Sequence, residues 1–136
     1  MDTGLWIALI SADDGHHDEA DECIEDAVSR NVMLMTTNLV IAEVQRFLLF
    51  RAGPVAARAA VERIDASDRI DVVFATRVHH DAAKQWLKRL ADQEMSYTDA
   101  VSFAVMKAAG YRVAMTFDAD FSIAGFELWH HTGYKD

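Results

Sequence analysis

Five acidic side chains lie at the boundaries of predicted elements or beside the buried face of a helix, whereas most other acids lie on solvated helix faces. They are Asp2, Glu43, Asp99, Asp118 and Asp120. In a parallel α/β fold, strand ends and the first turns of the following helices converge at one edge of the sheet. Carboxylate oxygens are hard ligands that suit Mg²⁺ or Mn²⁺. The pattern therefore predicts a site for these ions, and hydrolysis of phosphate esters is chemistry that such a site supports.

Taken singly, these acids also have ordinary structural interpretations. Ser96-x-x-Asp99 is a capping-type start of a helix, and Asp118 and Asp120 suit a turn. Glu43 suits a surface position, and Asp2 lies next to a chain terminus. Spacing alone therefore leaves both the structural and the functional interpretation open.

Strands that alternate with helices predict an α/β fold, in which a short, mainly parallel sheet is flanked by helices and helix dominates. The predicted strands are Asn31–Met35, Ile70–Phe74, Arg112–Phe117 and, more weakly, Phe126–Trp129. The predicted helices are His16–Ser29, Asn38–Arg51, a helix that begins at Pro54, Val78–Leu90 and a helix from Ser96 to Gly110. We expect residues 1–136 to form a single domain.

The net charge of −9 on 136 residues is concentrated at one end of the chain. Residues 1–30 contain nine acids and one base, so the remainder is close to neutral. This balance disfavours a protein that binds nucleic acid through a bulk positive field. A hydrophobic content of 51% excludes a disordered acidic chain.

Cysteine content and hydropathy indicate a cytoplasmic domain without a membrane segment. Cys23 is the only cysteine, so no internal disulfide forms and no cysteine-based zinc site is indicated. No apolar run approaches the ~18 residues that span a bilayer. No basic segment precedes the first apolar stretch, Leu5–Ile10, so a signal peptide is not expected.

The order of the acidic motifs resembles the PIN-domain family of metal-dependent ribonucleases, and within it the VapC-like toxins of toxin–antitoxin pairs. The resemblance spans nearly the whole chain. It rests on five segments in order: Asp2–Leu9, Asp14–Ala20, Thr37–Val44, Ser96–Ala100 and Thr116–Phe121. It implies a three-layer PIN-like fold and an endoribonuclease that hydrolyses RNA phosphodiester bonds with Mg²⁺ or Mn²⁺.

The resemblance also implies the roles of individual residues. The catalytic and metal-binding quartet would be Asp2, Glu43, Asp99 and Asp118, with Asp120 as an auxiliary metal ligand. Thr3 and Thr116 match hydroxyl positions that orient acids or water. The implied partners are an RNA substrate and a cognate antitoxin whose tail occupies a groove between helices. A homodimer is also implied, with Trp6, Phe47, Leu48 and Leu49 as candidate contact residues.

Two further groups of residues are candidates for binding a ligand. Arg46, Arg51, Arg58 and Arg63 lie on two consecutive helices and form either a solvated face or an RNA path beside the acids. The histidines form three adjacent pairs, His16-His17, His79-His80 and His130-His131. Adjacent residues point about 100° apart on a helix and to opposite faces of a strand, so we expect structural or surface roles for all six.

Two alternatives remain open. The first is a PIN-like protein-binding module without catalysis. Its support is that only Met1 precedes Asp2, where the family has an apolar strand. Either the start is truncated, or Asp2 is anchored more loosely than is usual in the family. The second is an acidic-pocket phosphohydrolase or receiver-like domain. Against it, Asp118-Ala119-Asp120 is followed by Phe121-Ser122, which does not complete an Asp-x-Asp-x-Thr motif.

Overall fold

The computed structural model describes residues 1–129, which contain seven helices and four short strands. The helices are α1 (Thr3–Ile10), α2 (His17–Ser29), α3 (Asn38–Ala52), α4 (Pro54–Ala66), α5 (Arg77–Arg89), α6 (Tyr97–Ala109) and α7 (Asp120–Ile123). The strands are β1 (Leu34–Thr37), β2 (Ile70–Val73), β3 (Val113–Ala114) and β4 (Glu127–Leu128). The predicted helix-rich α/β class is confirmed. The single domain over residues 1–136 stays a prediction, because it includes residues outside the described range.

The strands form two parallel pairs within residues 1–129. β1 pairs with β2 from Leu34 opposite Ile70 to Thr37 opposite Val73, and β3 pairs with β4 over two residues. Neighbouring strand residues point to opposite faces. Leu34 and Met115 accordingly pack towards α1 and α2, whereas Met35 and Ala114 pack towards α5 and α6. Helices therefore cover both faces of the strands, which gives the three layers.

The predicted boundaries of the first strand are wrong. The expected strand was Asn31–Met35, and the observed one is Leu34–Thr37. Asn31 has a positive φ of 56°, and its N–H donates to the carbonyl of Val28 at 3.0 Å, so this residue completes the end of α2. The strand instead continues through Thr36, which is buried despite its hydroxyl.

The last third of the chain also differs in detail from the prediction. β3 and β4 are each two residues long and so are shorter than the predicted strands Arg112–Phe117 and Phe126–Trp129. The four-residue helix α7 was not predicted, because a single turn is too short to show helical periodicity.

Helix α6 lies at the centre of the molecule and positions Asp99. All residues from Ala100 to Met106 are buried. Phe103 meets the ring of Trp86 at 5.4 Å and that of Phe121 at 4.8 Å between centroids, both in edge-to-face geometry. This aromatic cluster packs the middle of α6 against α5 and α7.

A second part of the core joins α1 to α3 and α4. Trp6 packs in this cluster with Val44, Leu48 and Ile64, and the Trp6 indole N–H donates to Thr36 Oγ1 at 3.3 Å. Trp6 and Leu48 are therefore interior residues, and their expected role as dimer contacts is wrong. None of the helices in residues 1–129 combines the length and apolarity needed to cross a bilayer.

Substitution of Phe103 tests the central position of α6. Phe103 has no exposed surface, so Phe103→Ala leaves a cavity and is expected to lower the free energy of unfolding by about 3–5 kcal/mol. Phe74→Ala, at a ring that is 66% exposed, is the control and should change it by less than about 0.5 kcal/mol. Urea denaturation measures both, and equal losses would contradict the packing described.

Candidate active site

Four of the five predicted acids line one open cleft of about 410 Å³. The cleft is lined by Asp2, Thr3, Gly4, Glu43, Ser96, Asp99, Phe117 and Asp118. Asp2 is the N-cap of α1, Glu43 lies in α3, Asp99 lies in the first turn of α6, and Asp118 follows the segment after β3. Elements that are distant in sequence thus bring these carboxylates together.

Asp2 is firmly anchored. Its Oδ1 accepts a hydrogen bond from the Leu5 N–H at 3.0 Å, and its Oδ2 accepts one from Thr116 Oγ1 at 2.6 Å. The side chain is only 7% exposed. Met1 lies along β1, where its ammonium group donates to the carbonyl of Met35 at 2.8 Å. Loose anchoring of Asp2, one of the two alternatives for the short start, is therefore not observed, because Thr116 and Met1 hold it in place.

Three carboxylates lie close enough together to share one cation. Asp99, Asp118 and Asp120 each offer an oxygen, and these oxygens lie within 4.8 Å of one another. The turn that carries two of them is internally bonded. The Asp118 N–H donates to Thr116 Oγ1, and the Asp120 N–H donates to Asp118 Oδ1, both at 2.9 Å. Thr116 therefore connects this turn directly to Asp2.

Glu43 and Asp2 line the same cleft but do not belong to this group of three. Glu43 is solvent-exposed, and its Oε1 accepts a hydrogen bond from Thr3 Oγ1 at 2.6 Å. This bond joins α1 to α3 at the open side of the cleft. Both predicted hydroxyl positions, Thr3 and Thr116, thus contact an acid of the cleft.

Burial, and after it the charges of neighbouring acids, raises the pKa of three of these carboxyl groups. Burial, followed by the charges of Asp118 and Asp2, raises the pKa of Asp99 to about 7. Burial also raises the pKa of Asp2, against the opposing effect of the Thr116 hydrogen bond. Burial and the Asp118 charge raise the pKa of Asp120. The cleft therefore favours either a bound proton or a bound cation at neutral pH.

The sequence interpretation missed one pair of residues at the edge of the cleft. The ring of Phe117 lines the cleft, and His16 stacks on it with centroids 4.4 Å apart and an interplanar angle of 17°. No signal in the sequence connects these two residues, because one hundred positions separate them.

The described histidines otherwise have structural contacts. His17 Nδ1 lies 2.7 Å from the carbonyl of Ala8, and His79 Nδ1 accepts from the N–H of Thr76 at the start of α5. His80 Nδ1 lies 2.8 Å from the hydroxyl of Tyr97. The pair His130-His131 lies outside the described residues.

Comparison with known proteins agrees with this geometry. The family model described as "PIN domain" matches residues 1–127. The chain belongs to the PIN domain family. This PIN domain is 39% identical over 126 residues to the protein named 23S rRNA-specific endonuclease VapC20 from Mycobacterium tuberculosis, in strains CDC 1551 / Oshkosh and H37Rv. The match covers 93% of each chain.

A solved structure shows the same likeness. The crystal structure of Mycobacterium tuberculosis VapC20, described as a toxin that cleaves the sarcin–ricin loop, superposes with a TM-score of 0.83. The identity is 38%, and the match covers 92% of this chain and 93% of that one. The prediction of a VapC-like ribonuclease in the PIN family is confirmed. The comparisons favour a nuclease over a binding module.

The raised pKa of Asp99 makes the stability of the metal-free PIN domain dependent on pH. The folded state keeps a proton on Asp99 up to about pH 7, whereas the unfolded chain loses it near pH 4. The contribution of this group to stability is therefore present at low pH and lost as pH rises through 7.

Asp99→Asn removes this charge permanently. In EDTA we expect the variant to melt several degrees above the unsubstituted PIN domain at pH 8, with a smaller difference at pH 5. Thermal melts at both pH values measure the difference, and Asp92→Asn, an exposed acid outside the cleft, is the control. A difference that does not change with pH would contradict the raised pKa of Asp99.

Proposed function

We propose that this PIN domain is the toxin of a toxin–antitoxin pair and cleaves RNA as a Mg²⁺- or Mn²⁺-dependent endoribonuclease. The observation that carries the metal dependence is the group formed by Asp99, Asp118 and Asp120, whose oxygens lie within 4.8 Å of one another. Asp2 and Glu43 line the same cleft and complete the set of five acids.

The chemistry of the cleft fits a divalent cation. Its charged lining groups are all carboxylates, and no lysine or arginine of residues 1–129 lines it. The counter-charge that these acids require is therefore not supplied by the lining side chains. Hard oxygen ligands without histidine or cysteine favour Mg²⁺ or Mn²⁺ over softer metals.

The acids would divide the work of hydrolysis. Asp99, Asp118 and Asp120 would hold the cation, and Asp2 would support them from a fixed position set by Thr116. A bound cation supplies activation of water and neutralises charge on the phosphate. Glu43, exposed at the open side, would orient the attacking water and accept its proton.

We propose a loop of 23S rRNA as the substrate. The relatives named VapC20 are 23S rRNA-specific, and the match to them covers 93% of this chain. The crystallised relative is described as a toxin that cleaves the sarcin–ricin loop. An open cleft also suits looped RNA, whose backbone and bases are accessible to protein side chains.

Cleavage of a hairpin RNA tests this function. The unsubstituted PIN domain with Mn²⁺ is expected to cleave a sarcin–ricin hairpin faster than a hairpin with the same stem and a scrambled loop. Asp99→Asn removes a proposed ligand and should lower the rate by at least about 100-fold, and EDTA should abolish it. Asp92→Asn, prepared identically, should cleave at the unsubstituted rate.

Two results would count against the proposal. Equal cleavage by Asp99→Asn would assign the activity to a contaminant. Absence of cleavage by the unsubstituted chain with Mn²⁺ would favour the binding-module alternative.

An apolar groove supports an antitoxin as partner. It lies between α1, α2 and α4, has a volume of about 470 Å³ and includes Ile10, Ile24 and Ile64 in its lining. Arg63 and Arg69 are among its lining residues and would attract acidic side chains of a bound segment. We assign the antitoxin tail to this groove, in a cytoplasmic complex.

We also propose that the PIN domain forms a homodimer. A measurement of its mass in solution tests this proposal.

A further inference from the structure

A second groove adjoins the acidic cleft. It has a volume of about 520 Å³ and is lined by Thr3, Ile7, Glu43, Arg46, Phe47, Phe50 and Arg51. Thr3 and Glu43 line both the groove and the cleft. A chain-like ligand bound in the groove would therefore extend directly into the acidic cleft.

Two arginine–phenylalanine pairs form one side of this groove. The guanidinium carbon of Arg46 lies 5.2 Å from the ring centroid of Phe50, and that of Arg51 lies 5.1 Å from that of Phe47. The partners of each pair are four positions apart on α3, so they lie on neighbouring turns. Phe50 is 75% exposed, which leaves most of its ring accessible.

These two arginines differ from three other arginines of the surface. Arg30, Arg58 and Arg77 each face an acid four positions away, at 3.0, 3.8 and 3.3 Å. Within residues 1–129, neither Arg46 nor Arg51 has a carboxylate within ion-pair distance. Their guanidinium groups rest on aromatic rings and retain their donors for a ligand.

We propose that this groove binds the single-stranded RNA segment next to the scissile phosphodiester, with Arg46 and Arg51 on phosphates and Phe50 stacked on a base. The inference rests on the proposed function and adds the surface that receives the substrate. Arginine and aromatic side chains together are the combination that binds single-stranded nucleic acid.

The charge of the two arginines and the boundary that the groove shares with the cleft favour RNA over a protein segment as the ligand. The four acids that line the adjoining cleft repel a phosphate backbone, so RNA needs cations beside them to remain bound. The two arginines supply this charge at the boundary that Thr3 and Glu43 share with the cleft. The two guanidinium groups rest on different rings, Phe50 and Phe47, so each is placed to take its own phosphate.

The test measures RNA binding without cleavage. Asp99→Asn serves as the background, and the probe is a 5′-labelled ten-nucleotide single-stranded RNA, with affinity read by fluorescence anisotropy in Mg²⁺. Arg46→Gln with Arg51→Gln should weaken binding more than tenfold. The salt dependence should fall by about 1.4 in slope, since each lost phosphate contact removes about 0.7 for a single strand.

A matched double variant controls for net charge. Arg58→Gln with Arg77→Gln removes the same number of positive charges, but from residues that are already paired with Glu62 and Asp81, and the affinity for RNA should stay within twofold.

Stacking is tested separately at Phe50. Phe50→Ala should weaken binding about tenfold, whereas Phe50→Trp should retain it and show quenching of the added tryptophan fluorescence by RNA.

Three results would overturn the inference. One is that both double variants bind RNA equally well. Another is that the Arg46 and Arg51 changes alter the mass in sedimentation, which would assign this face to contact between copies. In either case cleavage by the unsubstituted chain would leave the proposed function intact. Absence of that cleavage with Mn²⁺ would refute the proposed function and this inference together.

Discussion

Repulsion among carboxylates is the constraint on which the rest of this structure depends. Asp99, Asp118 and Asp120 hold oxygens within 4.8 Å of one another, and Asp2 and Glu43 lie in the same cleft. Like charges at such distances oppose folding unless a proton or cation intervenes. Burial first, and then the charges of Asp118 and Asp2, raise the pKa of Asp99 to about 7. The surrounding fold must therefore hold the acids in place against their own repulsion.

Short hydrogen bonds between the acids and neighbouring hydroxyl groups, together with the buried core behind them, provide this restraint. Thr116 donates to Asp2 and accepts from the N–H of Asp118, so one buried hydroxyl connects the start of α1 to the turn after β3. Ser96 caps α6 through the N–H of Asp99 at 3.1 Å. Behind that cap, α6 is buried from Ala100 to Met106, which keeps the start of the helix from moving away from the other acids.

The sequence predicted the elements and the set of acids better than it predicted contacts. Helical periodicity and capping residues located α2 to α6 closely, because those signals are local. The turn at Asn31 that follows α2 and the single turn of α7 were missed, because neither has a periodic pattern. Contacts between distant residues, such as His16 on Phe117, leave no local signal. The buried positions of Trp6 and Leu48 depend on how α1 and α3 pack together, which periodicity alone does not reveal.

Titration calorimetry with Mn²⁺ tests most directly the central claim, which is that these acids bind divalent cations. We expect one or two ions to bind, with protons released near pH 6.5 and few released at pH 8, because the pKa of Asp99 lies at about 7. Asp118→Asn should weaken binding at least about tenfold, and Asp92→Asn should not. Absence of binding at millimolar Mn²⁺, or equal affinity in Asp118→Asn, would contradict the account.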